Sequence, residues 1–273
     1  MYPELFDIGP VTVHSFGVMM ALAFITAGLV TGWQLSKRGI STDLTYTLLI
    51  AAIVGGVVGA KIHYLIIHPD RFEVAAFSGT GLVWYGGLFG GIAAVALVAY
   101  LSAHPTALIA DAVAPGLAVG YAVGRIGCFL NGDDYGVPTD LPWGMAFPDG
   151  SPPTTETVHP TQLYETFGSL FILALLLWVL APRLARTGSL FWSYLGLAGV
   201  ERFLVEFVRT NPEAALGLTQ QQWISALLIV AGLVAVWWNE GRGAAPSGTR
   251  AERRRQERNR RKKERRPAQA GGE

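Results

Sequence analysis

The sequence predicts an all-α protein that crosses a membrane several times, and three observations carry that prediction. Hydrophobic residues make up 51% of the 273-residue chain and charged residues only 15%, with a mean hydropathy of +0.36. Soluble domains usually have about a quarter of their residues charged. Seven apolar segments approach the roughly 20 residues that a helix needs to cross a bilayer. Finally, the basic residues are concentrated in one C-terminal tail.

The seven predicted spans follow one another with short polar connections. In chain order they are residues 13–35, 47–67, 82–101, 107–130, 161–181, 189–208 and 221–238. The second and sixth segments fit the pattern of an apolar membrane span least well, because they carry charged residues. Gly116, Gly120 and Gly124 in the fourth span are four residues apart, which predicts a flat helix face that a neighbouring helix can approach closely. Gly55 and Gly59 predict the same for the second span.

The distribution of charge predicts the orientation of the chain in the membrane. Residues 242–273 hold 12 Lys and Arg against 4 Asp and Glu, whereas residues 1–241 hold 9 against 16. Basic residues favour cytoplasmic loops. We therefore expect the tail to be cytoplasmic, with Lys37 and Arg38 on the same side, and the N-terminus to be outside. The acidic loop 131–160 has no Lys or Arg and is therefore expected to lie outside.

The basic tail, residues 242–273, is predicted to be disordered, or helical only at the membrane surface. Its expected role is to fix topology and to attract anionic membrane lipid. An RNA-binding arm is the alternative, but no aromatic residues are interleaved with the charges, as they are in many single-strand binders. No nucleic-acid partner is therefore expected.

Polar side chains recur at one depth, near the outer ends of several predicted spans. They are Lys61, Tyr85, Arg125, Gln162, Tyr164, Glu165, Arg202 and Glu206. At about 1.5 Å per helical residue, all lie within roughly 10 Å of the outer boundary. An arginine at membrane depth costs about 2.5 kcal/mol or more on insertion scales, so it usually faces the bundle interior and is paired.

Two interpretations of these polar side chains at a common depth remain open. Several cations around one polar cavity would suit a phosphate ligand. Alternatively, the charges form a structural network. In that case Arg202 would pair with Glu206, four residues on, and Arg125 would pair with Glu165 or Asp133.

Other candidates are weaker. The five histidines show no metal-ligand spacing, so neither a metal nor a cofactor is expected. His14 could line the cavity or have a structural role. Lys61 and Arg209 could also line it, or extend their charged groups to the membrane interface. Asp111, near the cytoplasmic end of the fourth span, is interpreted as a helix-end or packing residue.

Five motifs in order resemble those of the prolipoprotein diacylglyceryl transferase family, bacterial inner-membrane enzymes of lipoprotein maturation. They are IGPVTVHSFGVMM (8–20), WYGGLFGG (84–91), GRIGCFLNGDDYG (124–136), HPTQLYE (159–165), and ERFLVEFVR (201–209) followed by GLTQQQWIS (217–225). The resemblance covers most of residues 8–238. It implies a seven-span membrane domain, here residues 1–241, in the bacterial inner membrane, with a small periplasmic head expected in loop 131–160. It also implies an active site toward the periplasmic leaflet.

The resemblance also implies the reaction and its partners. The diacylglyceryl group of phosphatidylglycerol is transferred to the lipobox cysteine thiol in the signal peptide of a preprolipoprotein. A thioether forms and glycerol 1-phosphate leaves. Arg125 matches the signature arginine that should hold the lipid phosphate, and Arg202 matches a second phosphate or leaving-group partner. The other matched positions, which the resemblance assigns to the substrate site, are Asn131, Asp133, Gly136, Glu206 and Arg209.

Three positions depart from the family pattern. Tyr85 stands where the family commonly has His, the natural general base, and a phenol with a reference pKa near 10 is a poor base at neutral pH. Tyr85 therefore acts by hydrogen bonding, or the base is elsewhere, or a phosphate oxygen of the substrate takes the proton. Phe16 replaces a common Tyr. Cys128 replaces a common Asn and is interpreted as a packing residue, because the reacting thiol belongs to the substrate.

Two functions of other classes compete with the transferase. A transporter or flippase for an anionic lipid or solute would place its charges near the midplane of the membrane, whereas these charges lie toward one face. A scaffold protein that acts through its basic tail would tolerate neutral replacement of Arg125 and Arg202.

Overall fold

The computed structural model describes residues 2–9, 11–68 and 83–241, and this part of the chain folds into a bundle of α-helices. The helices are α1 (Ser15–Lys37), α2 (Asp43–Ile67), α3 (Trp84–Leu101), α4 (Thr106–Asn131), α5 (Thr161–Ala174), α6 (Ser189–Val205) and α7 (Gln220–Gly241). Helix α5 continues as a π-helix, Leu175–Leu180, and α6 continues as a 3₁₀ turn, Glu206–Val208. Helices therefore occupy all seven segments that were predicted as spans. The basic tail 242–273 lies outside the described residues.

The described residues also contain three short antiparallel hairpins at helix ends, which the sequence did not predict. Their strands are β1 (Glu4–Ile8) with β2 (Val11–His14), β3 (Met145–Phe147) with β4 (Thr154–Val158), and β5 (Glu213–Ala215) with β6 (Leu218–Thr219). The first precedes α1, the second lies in the acidic loop between α4 and α5, and the third joins α6 to α7. All three adjoin the same end of the bundle, the end at which α4 finishes.

The surface of the bundle is apolar and much of its interior is polar. Leu29, Leu101 and Trp237 are each at least 70% exposed, whereas Gln162 and Glu165 are almost completely buried. Apolar surface of this extent is rare on soluble monomers. Within the described ranges, five helices are long and apolar enough to cross a membrane: α1, α2, α4, α5 with its π-helix, and α7. The chain is thus a mostly helical, polytopic membrane protein.

Three antiparallel helix pairs among the described helices, α1–α4, α2–α3 and α6–α7, have close contacts at glycine. In the α1–α4 pair, a Cβ on Gly116 would meet the backbone oxygen of Ala27 and the side chain of Thr31, so only glycine fits there. Gly120 also faces α1, whereas Gly124 has no neighbour within 4 Å of a built Cβ. The predicted flat face is thus confirmed for two of its three glycines. Gly55 and Gly59 pack against α3, as predicted for the second span.

Asp111 fixes the start of α6. Its carboxylate accepts hydrogen bonds from the backbone N–H groups of Gly188, at 2.6 Å, and Phe191, at 2.9 Å. The first N–H groups of a helix have no partner within the helix, and a carboxylate there is also favoured by the helix dipole. The interpretation of Asp111 as a helix-end residue is confirmed. It ties α4 to α6 at the end of the bundle opposite to Arg125.

Candidate active site

Three arginines, one from α4 and two from the end of α6, converge on one carboxylate, that of Glu165 in the first turns of α5. Arg125 Nη2 lies 2.5 Å from Glu165 Oε2, Arg202 Nη1 lies 3.2 Å from Oε1, and Arg209 Nη1 lies 3.4 Å from Oε2. The Glu165 side chain is 1% exposed. Tyr121, one helical turn before Arg125 on α4, donates its hydroxyl to Glu165 Oε1 at 2.8 Å. A buried carboxylate is tolerated when it is paired and hydrogen-bonded in this way.

Asp134 is a second carboxylate that joins two of these arginines. Its Oδ2 lies 2.8 Å from Arg125 Nη1 and its Oδ1 lies 2.7 Å from Arg209 Nη2. Burial alone would raise the pKa of Asp134, but the hydrogen bond from Arg125 and the charges of Arg209 and Arg125 lower it below its ordinary value of 3.8. The residue has a positive φ of 62°, and its carbonyl oxygen accepts from Thr161 Oγ1 at 2.6 Å.

Glu206, in the turn that follows α6, is the third carboxylate. Its Oε2 lies 2.8 Å from Arg202 Nη2, and its Oε1 accepts from Asn211 Nδ2 and Thr219 Oγ1, each at 2.8 Å. These contacts tie the end of α6 to the β5–β6 hairpin. The arginine–carboxylate network is defined here as Arg125, Arg202, Arg209, Asp134, Glu165 and Glu206. Its formal charges balance, which is the condition under which buried charges are tolerated.

The network is not sealed from its surroundings. A cavity of about 330 Å³ lies beside it, lined by Asp133, Asp134, Tyr135, Ser151, Pro152, Arg209, Thr210 and Asn211. Arg202 is the most accessible arginine of the network, with 25% of its side chain exposed against 9% for Arg125 and Arg209. The Nε atoms of Arg125 and Arg209 are buried and have no hydrogen-bond acceptor among the described residues. Arg202 is thus the guanidinium of the network that is most accessible from outside.

A sequence model of the prolipoprotein diacylglyceryl transferase family matches residues 3–238. The chain belongs to this family. A phosphatidylglycerol–prolipoprotein diacylglyceryl transferase from Clostridium tetani is 33% identical over 240 residues, which cover 85% of this chain and 96% of that protein. An enzyme of the same name from Geobacter sulfurreducens is 35% identical over 226 residues, or 79% of this chain and 85% of that protein. The relative from Frankia alni is 33% identical and covers 97% of this chain and 73% of that protein.

Residues from three of the five family motifs, 124–136, 159–165 and 201–209, meet in the network. Arg125, Arg202, Arg209 and Glu206 are all part of it. The Arg202–Glu206 and Arg125–Glu165 pairs, which the sequence offered as one interpretation, both form. The predicted alternative partner Asp133 is instead bonded through its carboxylate to Asn131 Nδ2, at 2.7 Å, and through its carbonyl to Gln162 Nε2, at 2.5 Å. The carboxylate that pairs with Arg125 from this segment is that of Asp134.

Gly136, the last residue of the transferase signature, packs where no side chain fits. It forms a β-bridge with Arg209, and its N–H donates to the carbonyl oxygen of His159 at 2.9 Å. A Cβ here would meet the backbone oxygen of Val208 and the side chain of Thr161. The glycine thereby lets the chain after α4 lie directly against the segment that carries Arg209.

Three other predicted site residues lie outside the network. Lys61 is near the end of α2, Tyr85 is the second residue of α3, and His14 ends β2 directly before α1. Helices α2 and α3 pack mainly on each other, while the network is built from α4, α5, α6 and their connections. Among the described residues, the structure thus brings the motif arginines together with Asp134, Glu165 and Glu206 in one set of ion pairs.

Cys128 is buried beside the network. Arg125 Nη1 lies 3.3 Å from its Sγ and 2.8 Å from Asp134 Oδ2. Possible ligand atoms of Cys128, Asp133 and Asp134 lie within 4.8 Å of one another, and the Arg125 guanidinium already contacts two of those groups. This arrangement fits the interpretation of Cys128 as a packing residue.

Sequence reasoning did not assign Asp134 or Tyr121 to the site. Tyr121 had an available signal, because residues four apart in a helix share a face and Tyr121 precedes Arg125 by four. Asp134 and Asp133 are adjacent and chemically identical, so the sequence alone could not show which of them faces the arginines.

Proposed function

We propose that this chain transfers the sn-1,2-diacylglyceryl group of phosphatidylglycerol to the lipobox cysteine thiol of a preprolipoprotein. The thiol sulfur forms a bond to the glyceryl carbon, the bond from that carbon to the phosphate oxygen breaks, and glycerol 1-phosphate leaves with the electron pair. The thiol proton passes to an acceptor. Membership of the family and the names of the relatives support this reaction. The observation that carries the residue assignment is the convergence of three arginines at one end of the bundle.

The proposed arrangement in the membrane follows from the charge distribution. All seven helices cross a bacterial inner membrane, with the N-terminus periplasmic and the basic tail 242–273 cytoplasmic. The network then lies toward the periplasmic leaflet, and residues 131–160 form the periplasmic head of the membrane domain 1–241. The absence of Lys and Arg from 131–160 supports this orientation.

In this proposal the arginines hold the phosphate of the lipid. Arg202 is the most exposed guanidinium of the network, so its N–H groups meet the ligand first, while Arg125 contributes from deeper in the bundle. Positive charge at the phosphate oxygens stabilises the leaving group as the C–O bond breaks. The remaining residues assigned to the substrate site are Asn131, Asp133, Gly136, Glu206, Arg209, His14 and Lys61.

The thiol must lose its proton, because the thiolate is the nucleophile. The oxygens of Glu165 already face three guanidinium groups and the Tyr121 hydroxyl, so Glu165 is not proposed as the base. We assign the proton to a phosphate oxygen of the substrate and a hydrogen-bonding role to Tyr85. In that case Tyr85→Phe lowers the rate without abolishing it. A full rate in this variant would remove Tyr85 from the mechanism.

The decisive experiment measures transfer of radiolabelled lipid from phosphatidylglycerol to a lipobox peptide by the purified full-length chain. Arg202→Lys keeps the charge but loses the planar fork that binds phosphate through two hydrogen bonds. Loss of one such donor from a charge-stabilising site typically costs roughly 100-fold or more in rate. We expect a loss of that order for Arg202→Lys, and loss of detectable transfer for Arg125→Ala and Arg202→Ala.

The control is Arg183→Ala, which removes an exposed arginine at the other end of the bundle. It should retain transfer, and the Arg202→Lys variant should insert and elute as the parent does. Normal transfer by both Arg125→Ala and Arg202→Ala would overturn the assignment of these residues.

A further inference from the structure

A second pocket, with both apolar and basic side chains in its lining, lies at the end of the bundle away from the network. It has a volume of about 380 Å³ and is lined by Trp33, Gln34, Lys37, Arg38, Leu177, Trp178 and Ala181. One wall is the last turn of α1 and the other is the π-helix that continues α5. Since α1 has 23 residues, this pocket is separated from the network end by roughly 30 Å at 1.5 Å per residue.

Two cations in this pocket are held in place by neighbouring side chains. Lys37 Nζ lies 3.4 Å from the centre of the Trp33 ring, a cation–π contact. Arg38 Nη1 donates to the Gln34 carbonyl oxygen at 2.8 Å and to Gln34 Oε1 at 2.6 Å. None of the described residues that line the pocket is a carboxylate. Asp111 acts on Arg38 electrostatically, but its oxygens already accept from the backbone at the start of α6.

The opposite wall departs from regular α-helix over Leu175–Leu180. Helix α5 ends in this π-helix, and π-helical turns are rare and frequently occur at functional sites. Trp178 on this wall is 75% exposed, and Trp33 on the facing helix is 47% exposed. Tryptophans with this exposure near the ends of membrane helices commonly lie at the level of the lipid headgroups. The pocket thus combines a lipid-facing aromatic rim with two positioned cations.

We propose that this pocket binds the phosphate-bearing headgroup of an anionic phospholipid from the leaflet at this end of the bundle. The Lys37 ammonium and the Arg38 guanidinium contact the headgroup phosphate, while Trp33 and Trp178 pack against the glycerol and upper acyl region. The volume lies within the usual range of small-ligand sites, and basic pockets between membrane helices are known to hold anionic headgroups. This inference does not rest on the transferase reaction, because its residues are far from the arginine–carboxylate network.

The test is photolabelling of the purified full-length chain by a phosphatidylserine that carries a diazirine near its glycerol backbone. Phosphatidylserine is anionic but is not the lipid named for the relatives, and a diazirine phosphatidylcholine serves as the zwitterionic comparison. Labelled peptides are located by mass spectrometry. We expect phosphatidylserine to label peptides that contain residues 33–38 and 175–181, and phosphatidylcholine to label them much less.

Single-charge variants then identify the cations involved. Lys37→Gln and Arg38→Gln should each reduce phosphatidylserine labelling of these two peptides roughly fivefold, the effect of about one basic residue at an anionic surface. Arg183→Gln removes one exposed charge at the same end without lining the pocket and should leave the labelling unchanged. Transferase activity should persist in all three variants, which also shows that they fold.

Three results would overturn the proposal. Equal labelling by phosphatidylserine and phosphatidylcholine would show that the pocket does not select anionic lipid. An equal loss in Arg183→Gln would show a general surface-charge effect. Displacement of the label by inorganic phosphate, but not by chloride at the same ionic strength, would identify a soluble phosphate as the ligand instead of a lipid.

Discussion

At the scale of single residues, Glu165 determines how the three arginines of the site are held. It faces Arg125, Arg202 and Arg209 within 3.4 Å and is almost completely buried. The site is therefore not an open cationic cavity, because each guanidinium already has a carboxylate partner. In the proposed reaction, a lipid phosphate shares these arginines with Glu165, Glu206 and Asp134. Under that proposal, the carboxylates hold the guanidinium groups in place before the ligand arrives, which reduces the reorganisation that catalysis requires.

The sequence predicted the residue pairs that depend on helical spacing and depth. Arg202 and Glu206 are four residues apart, and Arg125 and Glu165 were expected at the same level of neighbouring spans. It could not predict which of Asp133 and Asp134 turns toward the arginines. That choice depends on the left-handed backbone at Asp134, which Thr161 and Arg209 hold by bonding its carbonyl oxygen.

Asp134 gives the site a dependence on pH. Its pKa in the folded protein is below the ordinary value of 3.8, so its ionised form stabilises the fold above that pH and the contribution is lost as the pH falls through the folded-state pKa. Asp134→Asn should therefore melt at a lower temperature than the parent at pH 7, and the difference should shrink below about pH 4. Thermal unfolding in detergent from pH 7 to pH 3 measures it, with exposed Asp140→Asn as the control. A constant difference across this range would contradict the role given to the ionised carboxylate.

At the scale of elements, the length of the apolar segments in the sequence predicted the helices but gave no indication of the hairpins. The predicted span 107–130 corresponds to Thr106–Asn131 and the predicted span 221–238 to Gln220–Gly241. The burial of apolar residues in a membrane makes such segments easy to recognise. Strands of two to five residues and the π-helix at Leu175–Leu180 carry no periodic signal of that length, because local packing and hydrogen bonding determine them.

The glycines of α4 provide a matched test of helix packing. Gly116→Ala should destabilise the α1–α4 pair by about 1–3 kcal/mol, because its Cβ would press on the Ala27 backbone, which cannot move aside. A Cβ at Gly124 would enter open space. Gly124→Ala should therefore leave the stability unchanged, or raise it by up to about 1 kcal/mol through the higher helix propensity of alanine. Unfolding in mixed micelles with increasing dodecyl sulfate measures both. Equal destabilisation by the two changes would show that the close approach at Gly116 is unimportant.

At the scale of the whole molecule, the two ends of the bundle differ in chemistry. The arginine–carboxylate network and the three hairpins lie at one end, and the pocket of Lys37 and Arg38 lies at the other. This difference between the two ends disfavours a transporter, whose charged site would be expected near the middle of the membrane. It instead suits an enzyme that receives lipid at one leaflet and is anchored at the other by basic residues.

The orientation itself can be measured with single cysteines in the full-length chain. Glu213→Cys lies on the exposed β5–β6 hairpin at the network end, and Arg183→Cys is exposed at the other end. The parent chain is the background control, since its single cysteine, Cys128, is buried. With the network facing the periplasm, a membrane-impermeant maleimide should label Glu213→Cys in bacteria whose outer membrane has been opened. Arg183→Cys should react only after the inner membrane is also permeabilised, because the positive-inside rule places its loop in the cytoplasm. The reverse pattern would invert the proposed topology and would move the arginine–carboxylate network to the cytoplasmic leaflet.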